Sequence, residues 1–445
     1  MEQNNVPRII SNKSVHRAWA MYDWANSAYN LVITSTMFPA YYFAIEVIKK
    51  NDKIVSDKVD FLGFSIKNSA LYNYSLAIAY LVVVILSPIL SSIADYKGNK
   101  KSFMRLFCYI GSIACCGLYY YKANTLELGI FCFVFAAIGY CGSLVFYNAY
   151  LPEIAQENER DRVSAQGFAY GYIGSVLLQL FCFLFVFKPG WFGISDPSFP
   201  PRLSFLLVGI WWFGFAHITL AKLPKSVPSV QDSKHNVFTN GFKELKKVWN
   251  QLKKMQILRT YLVAFFLYSM GVQTVMLVAT AFGTNVLKLG TPELIATILI
   301  IQIVAIGGAY VMAKLSEIYG NLKVLLAVVF IWIIVCISAY FITTAMQFYI
   351  LAAIVGLVMG GIQSLSRSTY SKLMPVTHDT ASFFSFYDIT EKIAIVIGMA
   401  SFGFIDQIMN DMRKGVLLLI SFFALGAIVL YFAIVRNKKE SVSFV

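Results

Sequence analysis

Residues 92–101 read SIADYKGNKK, and residues 315–323 read LSEIYGNLK. In both stretches an acidic residue, a glycine and a lysine follow a long apolar run. Gly98 and Gly320 lie half the length of the 445-residue chain apart. A glycine permits the tight turn between two antiparallel helices. A repeat at half the length of the chain predicts a fold assembled from two similar halves, as in many transporters.

The composition around these loops predicts a membrane protein. The chain is 58% hydrophobic and 13% charged, whereas a soluble domain carries about 25% charged residues. The apolar residues form blocks that can cross a hydrocarbon core of about 30 Å. We predict an all-α integral membrane protein with twelve transmembrane helices, arranged as two pseudo-symmetric six-helix bundles. The predicted spans are residues 18–46, 69–93, 104–122, 127–151, 165–187, 203–223, 258–285, 292–314, 323–343, 347–370, 381–405 and 414–436.

The predicted domains follow from these spans. Residues 1–223 form the N-terminal bundle, residues 224–256 a cytoplasmic linker, and residues 257–445 the C-terminal bundle with a short cytoplasmic tail. Within the linker, residues 241–255 place their apolar side chains on one face of a helix. This pattern predicts either an amphipathic helix on the membrane surface or an ordinary solvated linker helix.

The distribution of basic residues predicts the orientation. Of the 37 Lys and Arg residues, 25 lie in or beside the loops on one side and 11 on the other. Basic residues favour the cytoplasmic side, so we expect both termini in the cytoplasm and no nucleic-acid partner. The outer loop at residues 47–68 breaks this pattern with five lysines, and its three aspartates indicate a solvated polar loop. The expected partners are the lipid bilayer and a small-molecule substrate. We expect the protein to function as a monomer. We expect it in a bacterial inner membrane, because the sequence shows no organelle-targeting pattern.

Catalytic and nucleotide-binding motifs are missing from the sequence. It contains neither G-x-x-x-x-G-K-[ST] nor H-E-x-x-H, and its four histidines are scattered. We therefore predict that the chain is not an enzyme and binds no metal and no cofactor, apart from a proton or Na⁺ as a coupling ion.

The two similar loops are candidates for gates that pair with a neighbouring helix end in one conformation and release it in another. The alternative is a short basic turn that only obeys the orientation rule. The candidate gating residues are Asp95, Gly98, Lys101, Arg105, Glu317, Gly320 and Lys323.

The first span carries a polar stripe at helical spacing, formed by Asp23, Asn26, Ser27 and Asn30, with Thr34 beyond them. Polar groups inside a membrane are costly and point to function. The stripe predicts a substrate pathway with Asp23 as the acid that couples transport to an ion. Alternatively, Asp23 lies near the cytoplasmic end and bonds a neighbouring helix.

Two later spans carry further charges. Asp388, Glu391 and Lys392 in span eleven can form one cluster with a net negative charge. A cationic or zwitterionic substrate, a proton or Na⁺ could compensate it, or the cluster could be a structural network that closes the cytoplasmic end. In span ten, Arg367 beside Gln363 could grip a carboxylate or extend to lipid headgroups; the second role is the expected one.

Small residues at spacings of three and four allow helices to approach closely. The predicted helix-packing residues are Gly167, Gly171, Gly174, Gly356 and Gly360.

Several motifs carry a family resemblance. The two repeated loops resemble the signature cytoplasmic loop of the major facilitator superfamily. The stretch WAMYDWANSAY at residues 19–29 resembles the opening signature of its vacuolar-effluxer-like branch, also called the unknown-major-facilitator family. Residues 147–154, 162–174, 360–368 and 383–388 are similar to the same branch. The resemblance implies a twelve-helix alternating-access carrier and, more loosely, efflux of amino acids from the yeast vacuole.

Span eleven departs from the family pattern at Ser385, Glu391 and Met399. From residues and resemblance together, we expect a secondary-active carrier of a small polar solute, with amino acids first. Two alternatives remain open, a carrier that flips lipids or lysolipids and a membrane sensor or scaffold that transports nothing.

Overall fold

The computed structural model describes residues 9–50, 53–228, 237–409 and 412–443. In the N-terminal part the helices are α1 (Lys13–Ala28), α2 (Phe38–Ile45), α3 (Asn68–Lys97), α4 (Lys100–Gly117), α5 (Leu126–Ala149), α6 (Leu151–Ile154), α7 (Arg160–Phe187) and α8 (Phe199–Lys222). Beyond it lie α9 (Val237–Lys254), α10 (Gln256–Asn285), α11 (Thr291–Tyr319), α12 (Asn321–Phe341), α13 (Ala345–Leu373), α14 (Thr380–Met409) and α15 (Met412–Ser443). Short 3₁₀ turns occupy Leu118–Tyr120, Ala123–Thr125, Glu157–Glu159 and Pro189–Phe192.

Eleven helices in the described ranges are long and apolar enough to cross a membrane. Each of them coincides with one of the predicted spans. The first predicted span is also helical, from Lys13 to Ile45, but a π-helical segment at Tyr29–Met37 separates α1 from α2. The all-helical membrane fold is therefore confirmed, while the count of twelve single helices is not met, because the first span is divided.

The helices pack as the two-half prediction requires. α1 packs against α7 and α8, and α4 packs against α5 and α8; beyond the linker, α11 packs against α13, and α10 packs against α14 and α15. Contact between the halves runs through α7, which meets α11 and α13, and through α14, which meets α3 and α5. A space between the halves is therefore bordered by these helices.

The start of α1 and the end of α15 lie on one side of the helical layer, called here the termini side. Lys222 at the end of α8 donates to Ser14 near the start of α1, and Arg436 near the end of α15 donates to Thr260 near the start of α10. The starts of α4, α7 and α14 and the ends of α3, α5 and α13 lie on this side as well, since the helices alternate in direction.

The linker helix α9 corrects one expectation. Val248 and Leu252 are buried, and the helix packs against α3. Lys247 pairs with Asp379 at 3.0 Å, at the start of α14. Only part of the apolar face remains free, because Phe242 is 55% exposed. The predicted apolar face therefore serves first as a protein contact between the halves, and neither the surface-lying nor the simply solvated helix describes it fully.

The outer loop between α2 and α3 is more ordered than a solvated polar loop. It forms two antiparallel hairpins, β1 (Ile48–Lys50) with β2 (Lys53–Ser56) and β3 (Lys58–Phe61) with β4 (Phe64–Lys67). In the second hairpin, Val59 and Phe61 alternate with Lys58 and Asp60, a pattern typical of a strand.

Candidate functional site

A central cavity of about 210 Å³ lies between the two halves. It is bordered by α1, the π-helical segment, α3, α5 and α7 on one side and by α10, α11, α13 and α14 on the other. Its lining is rich in charged and amide side chains, which are costly inside a membrane unless they pair or meet water. The charged and amide residues that line it are Asp23, Asn30, Asn148, Gln273, Gln302, Gln363, Arg367, Glu391 and Lys392.

A buried ion pair joins the halves at this cavity. Nη1 of Arg367, on α13, lies 3.2 Å from Oδ2 of Asp23, on α1. The same carboxylate oxygen accepts a hydrogen bond of 2.8 Å from the hydroxyl of Tyr147. Asp23 is 4% exposed and Arg367 is 2% exposed. Asp23 thus lines the cavity and also bonds a neighbouring helix.

Arg367 is held by more than this carboxylate. Its Nε and Nη2 donate to the hydroxyl and the carbonyl oxygen of Ser164, and Nη1 also donates to Asn148. The guanidinium lies 4.7 Å from the ring centroid of Trp19 and 4.2 Å from that of Phe168. Arg367 therefore does not extend to lipid headgroups. That expectation was wrong, because α13 turns this face toward the other half of the protein.

The polar stripe of the first span largely faces the cavity. Ser27, Asn30 and Thr34 line it together with Asp23. Asn26, the remaining member of the stripe, is buried but does not line the cavity.

The π-helical segment Tyr29–Met37 was not expected from the sequence. The wider turn lets Ser35 donate to the carbonyl oxygen of Asn30, five residues earlier. It also lets Thr36 reach Gln179 on α7. π-helical turns within α-helices are frequent at functional sites, and this one forms the cavity wall beyond Asn30.

The span-eleven charges form a second cluster at the cavity. Nζ of Lys392 lies 2.9 Å from Glu391 and 3.4 Å from Asp388, and Gln273 on α10 donates to Glu391. Glu391 and Lys392 line the cavity, whereas Asp388 lies behind Lys392. The cluster therefore does not close the termini side. It borders the central space, as the substrate or ion hypothesis requires.

Gln363 also lines the cavity, where its Oε1 accepts a hydrogen bond of 2.7 Å from the hydroxyl of Tyr172. This bond again joins α13 to α7, and the Ser164 hydroxyl adds a bond to the carbonyl oxygen of Ser364. These contacts lie toward the termini side of the cavity. At the other end of the lining, Asn30 and Ser35 are exposed.

The first of the two repeated loops joins the two halves on the termini side. The carboxylate of Asp95 accepts the backbone N–H groups of Ala381 and Ser382 at the start of α14, where a negative charge is favoured by the helix dipole. Lys100 pairs with both Asp95 and Glu153. Asp95 is thus placed as the gate hypothesis requires.

The other predicted members of that loop lie differently. Gly98 adopts a left-handed conformation with φ of 63° and ends α3. A Cβ there would collide with the backbone of Pro228, so the turn requires glycine. Lys101 is partly exposed and Arg105 is exposed, and the cation inside the gate is Lys100.

The second repeated loop does not use its predicted acid. Glu317, Gly320 and Lys323 are exposed. The buried acid at this place is Asp161, at the start of α7. It accepts hydrogen bonds from Ser316 and Asn321 and pairs with Lys372 at 2.5 Å. The second contact exists, but its carboxylate comes from the opposite half.

The predicted packing glycines lie where helices approach closely. A Cβ on Gly167 or Gly171 would lie 2.5 Å from the side chains of Asp23 and Ser27, respectively, and one on Gly174 would lie 2.7 Å from the carbonyl oxygen of Trp24.

The glycines of the other half show the same close approach. Gly356 and Gly360 pack against backbone carbonyl groups of α11. In both halves a side chain would push the cavity walls apart.

Several partners in this site were not predicted as such. Tyr147 lies in a motif and among the aromatic residues that could line a cavity, but its bond to Asp23, the bonds of Asn148 and Ser164 to Arg367, and the role of Asp161 in the second contact were not foreseen. Small polar residues and single tyrosines are common in membrane helices, so only their partners identify them. Within the described ranges, no group of His, Cys, Asp and Glu side chains could hold a metal ion.

Comparisons with known proteins show the family to which the chain belongs. The sequence matches the family described as "Vacuole effluxer Atg22 like" over residues 11–443. It is 33% identical over 417 residues to the uncharacterized MFS-type transporter YxiO of Bacillus subtilis, with 93% of this chain and 94% of that protein covered. It is 24% identical over 408 residues to autophagy-related protein 22 of Kluyveromyces lactis, covering 84% and 81% of the two chains.

Solved structures show the same fold. The major facilitator transporter FucP in the outward conformation superposes with a TM-score of 0.70 at 13% identity, covering 94% of this chain and 98% of that one. The proton:xylose symporter XylE superposes with a TM-score of 0.71 at 11% identity, covering 94% of each chain. The chain therefore belongs to the vacuole effluxer Atg22 like family, and it is a transporter of the major facilitator type.

Proposed function

We propose that this transporter is a secondary-active, ion-coupled carrier of a small zwitterionic solute of the amino-acid class. The observation that carries the proposal is the charge pattern of the central cavity. Two pairs of opposite charges, Asp23 with Arg367 and Glu391 with Lys392, line the same space. A solute with one carboxylate and one ammonium group can pair with Arg367 through the first and with Glu391 through the second, so each of its charges meets an opposite charge in the cavity.

The size of the cavity supports a small solute. Sites for drug-sized ligands occupy about 300–1,000 Å³, whereas this cavity has about 210 Å³. Its charged and amide lining is unsuited to an acyl chain, which disfavours the lipid-flipping alternative. A sensor that transports nothing would not need the polar stripe of α1 to face an open space.

Asp23 is the proposed coupling acid. Its carboxylate holds Arg367 of the opposite half, so a proton or Na⁺ bound there would weaken the attraction between the halves. Ion binding would thereby favour the conformation in which the termini side opens. Coupling of this kind needs an acid whose partner changes during transport, and an inter-half ion pair meets that condition.

Alternating access would proceed by separation of the termini-side gates. In this conformation Asp95 binds the start of α14, and Asp161 binds Lys372. Both contacts join the halves, so both must break when the cavity opens toward the termini side. We further propose that this side is cytoplasmic, on the basic-residue bias, and that the protein acts as a monomer in a bacterial cell membrane, as its similarity to the Bacillus subtilis relative favours.

The test is uptake of pooled radiolabelled amino acids into proteoliposomes, with and without an imposed pH or Na⁺ gradient. We expect the wild type to accumulate at least one solute when the gradient is present. Asp23→Asn should lose gradient-driven accumulation, while Asp60→Asn, an exposed acid of the outer hairpin, should retain it. Equal accumulation by Asp23→Asn would remove the coupling role, and failure of every pooled solute would contradict the substrate class.

A further inference from the structure

A second candidate site lies on the surface of the N-terminal half, on the termini side. A pocket of about 240 Å³, called here the basic pocket, opens between the first turns of α1 and α7. Its lining residues are Lys13, His16, Arg17, Arg162 and Gln166. Lys13, Arg17 and Arg162 are exposed, whereas His16 is buried and its Nε2 donates to the carbonyl oxygen of Ile154. The residues in this pocket suit an anion, and they play no part in the central cavity.

The acid nearest to the pocket is already engaged. Glu159 accepts a hydrogen bond from Ser11, and its other carboxylate oxygen lies 3.9 Å from Arg162. That distance is too long for a hydrogen bond, so Arg162 keeps donors for another partner. Lys222 lies nearby, since its ammonium group contacts Ser14 on α1. The pocket therefore retains a positive balance.

A separate apolar cavity lies further along α7, toward the membrane interior. It has a volume of about 490 Å³, lies between α7 and α8, and is called here the apolar groove. Leu177 and Phe181 form one wall, and Trp211, Phe215 and Ile218 form the other. Most of these side chains are exposed in the absence of lipid, so this surface faces the hydrocarbon core.

The pocket and the groove lie along the same neighbouring helices, and the two together are called here the crevice. Trp24 lies seven residues beyond Arg17 on the same face of α1, about 10 Å further along the helix. Its ring stacks on Trp211, whose indole N–H donates to the carbonyl oxygen of Trp24. At the end of α8, Ile218 lies one turn from Lys222. On α7, Leu177 of the groove lies eleven residues beyond Gln166 of the basic pocket, about 16 Å along the helix, which is within the reach of an acyl chain.

We propose that this crevice binds one anionic phospholipid of the leaflet on the termini side. The phosphate group would lie among Lys13, Arg17 and Arg162, at the membrane level where basic side chains meet headgroups. One acyl chain would fill the apolar groove beside Trp211. Charge complementarity and the continuous apolar groove together select this occupant, because a free anion would leave the groove unused and a neutral lipid would leave the cations unused.

The bound lipid would also stabilise helices that carry the central cavity. It contacts α1 and α7, which carry Asp23 and the Gly167–Gly174 packing surface. A bound lipid would stabilise the contact of α1 with α7 and α8. The test therefore measures both lipid retention and thermal stability.

The experiment uses the full chain purified in detergent and titrated with dioleoyl phosphatidylglycerol, dioleoyl phosphatidylcholine or glycerol phosphate. Native mass spectrometry measures the retained lipid, and a melting curve measures stability. We expect phosphatidylglycerol to bind at least about tenfold more tightly than phosphatidylcholine and to raise the melting temperature. Equal binding of the two lipids would overturn the proposal, as would equal protection by glycerol phosphate, which would indicate a free-anion site.

Two variants separate the pocket from the groove. Lys13→Gln with Arg17→Gln and Arg162→Gln should weaken phosphatidylglycerol binding on the order of a hundredfold. A control with three exposed lysines of the same side changed to Gln, at Lys97, Lys254 and Lys314, should bind as the wild type does. An equal loss in the control would mean nonspecific attraction and would overturn the site.

The groove is tested at Gly214, which lines it and has open space where a Cβ would project. Gly214→Phe fills the groove without changing any charge. We expect it to weaken binding of the diacyl lipid about tenfold or more, since several buried CH₂ groups lose their contacts. Unchanged lipid binding in this variant would refute the acyl-chain position.

Discussion

The ion pair between Asp23 and Arg367 gives the sharpest test of how the halves are held together. Arg367 donates to Asp23, to Asn148 and twice to Ser164. Removing one partner of a buried pair costs about 3–5 kcal/mol, so Arg367→Gln should lower the free energy of unfolding by about that amount. The charge of Asp23 would then remain buried with only Tyr147 as a partner in this group.

The reverse change should cost less. In Asp23→Asn, Arg367 keeps its bonds to Asn148 and Ser164, and it keeps its contact with the ring of Trp19. A single hydrogen bond to a charged group contributes about 1.5–3 kcal/mol, which sets the expected loss. The double variant should be more stable than the sum of the single losses predicts, with a coupling energy of about 1–3 kcal/mol.

Equilibrium unfolding in mixed micelles measures all four corners of this cycle. Lys254→Gln, which changes an exposed cation on the same side, is the matched control and should change the free energy of unfolding by less than about 0.5 kcal/mol. If the two single losses add to within about 0.5 kcal/mol, the side chains do not act as a pair, and the reasoning fails.

The same cycle predicts a change in conformation. Because the pair joins the halves, a loss of about 3 kcal/mol in the closed state shifts the ratio of closed to open molecules by about 150-fold. Spin labels at positions 97 and 314, on the ends of α3 and α11, report this opening by electron–electron distance measurements. Arg367→Gln should add a population with a longer distance, and an unchanged distribution would show that the pair does not hold the gate.

Two further predictions concern packing and the gates. Gly360→Ala places a Cβ closer to the carbonyl oxygen of Ala305 than van der Waals contact allows, so it should lower the free energy of unfolding by about 1–3 kcal/mol. The control Gly307→Ala meets open space and should not lower it. Equal effects of the two changes would refute the close approach of α11 and α13. Asp161→Asn should open the termini side in the same spin-label measurement, whereas Glu317→Gln should not, because only Asp161 is buried between the halves; the opposite pattern would restore the predicted acid of the second loop.

The positions of the membrane-spanning helices could be predicted from the sequence, since the length of an apolar run depends only on local composition. It also located the polar stripe of α1, because helical spacing alone places Asp23 and Asn30 on one face. It could not give the partner of Arg367, which lies 344 residues away on another helix. Arg367 was expected at the lipid headgroups because it lies near the end of a predicted span. Only the packing of α13 against α7 shows that its side chain points to the other half of the protein instead.

The prediction of Glu317 as the acid of the second loop was wrong for a related reason. Similarity between the two loops pointed to Glu317, but α11 turns that side chain outward. Asp161, at the start of α7, forms the contact instead. Its role depends on Asn321 and Lys372, which only the folded chain brings next to it. The π-helical segment likewise has no local signature in the sequence, because its wider turn depends on contacts such as that of Thr36 with Gln179.

The central claim is that the cavity recognises a solute by both of its charges. Competition against gradient-driven uptake of the transported amino acid tests it most directly, with the N-acetylated and the amidated forms of the same molecule as competitors. We predict that the unmodified amino acid competes and that each form lacking one charge competes at least about tenfold more weakly, since the N-acetylated form cannot pair with Glu391 and the amidated form cannot pair with Arg367. Equal competition by either modified form would contradict the claim.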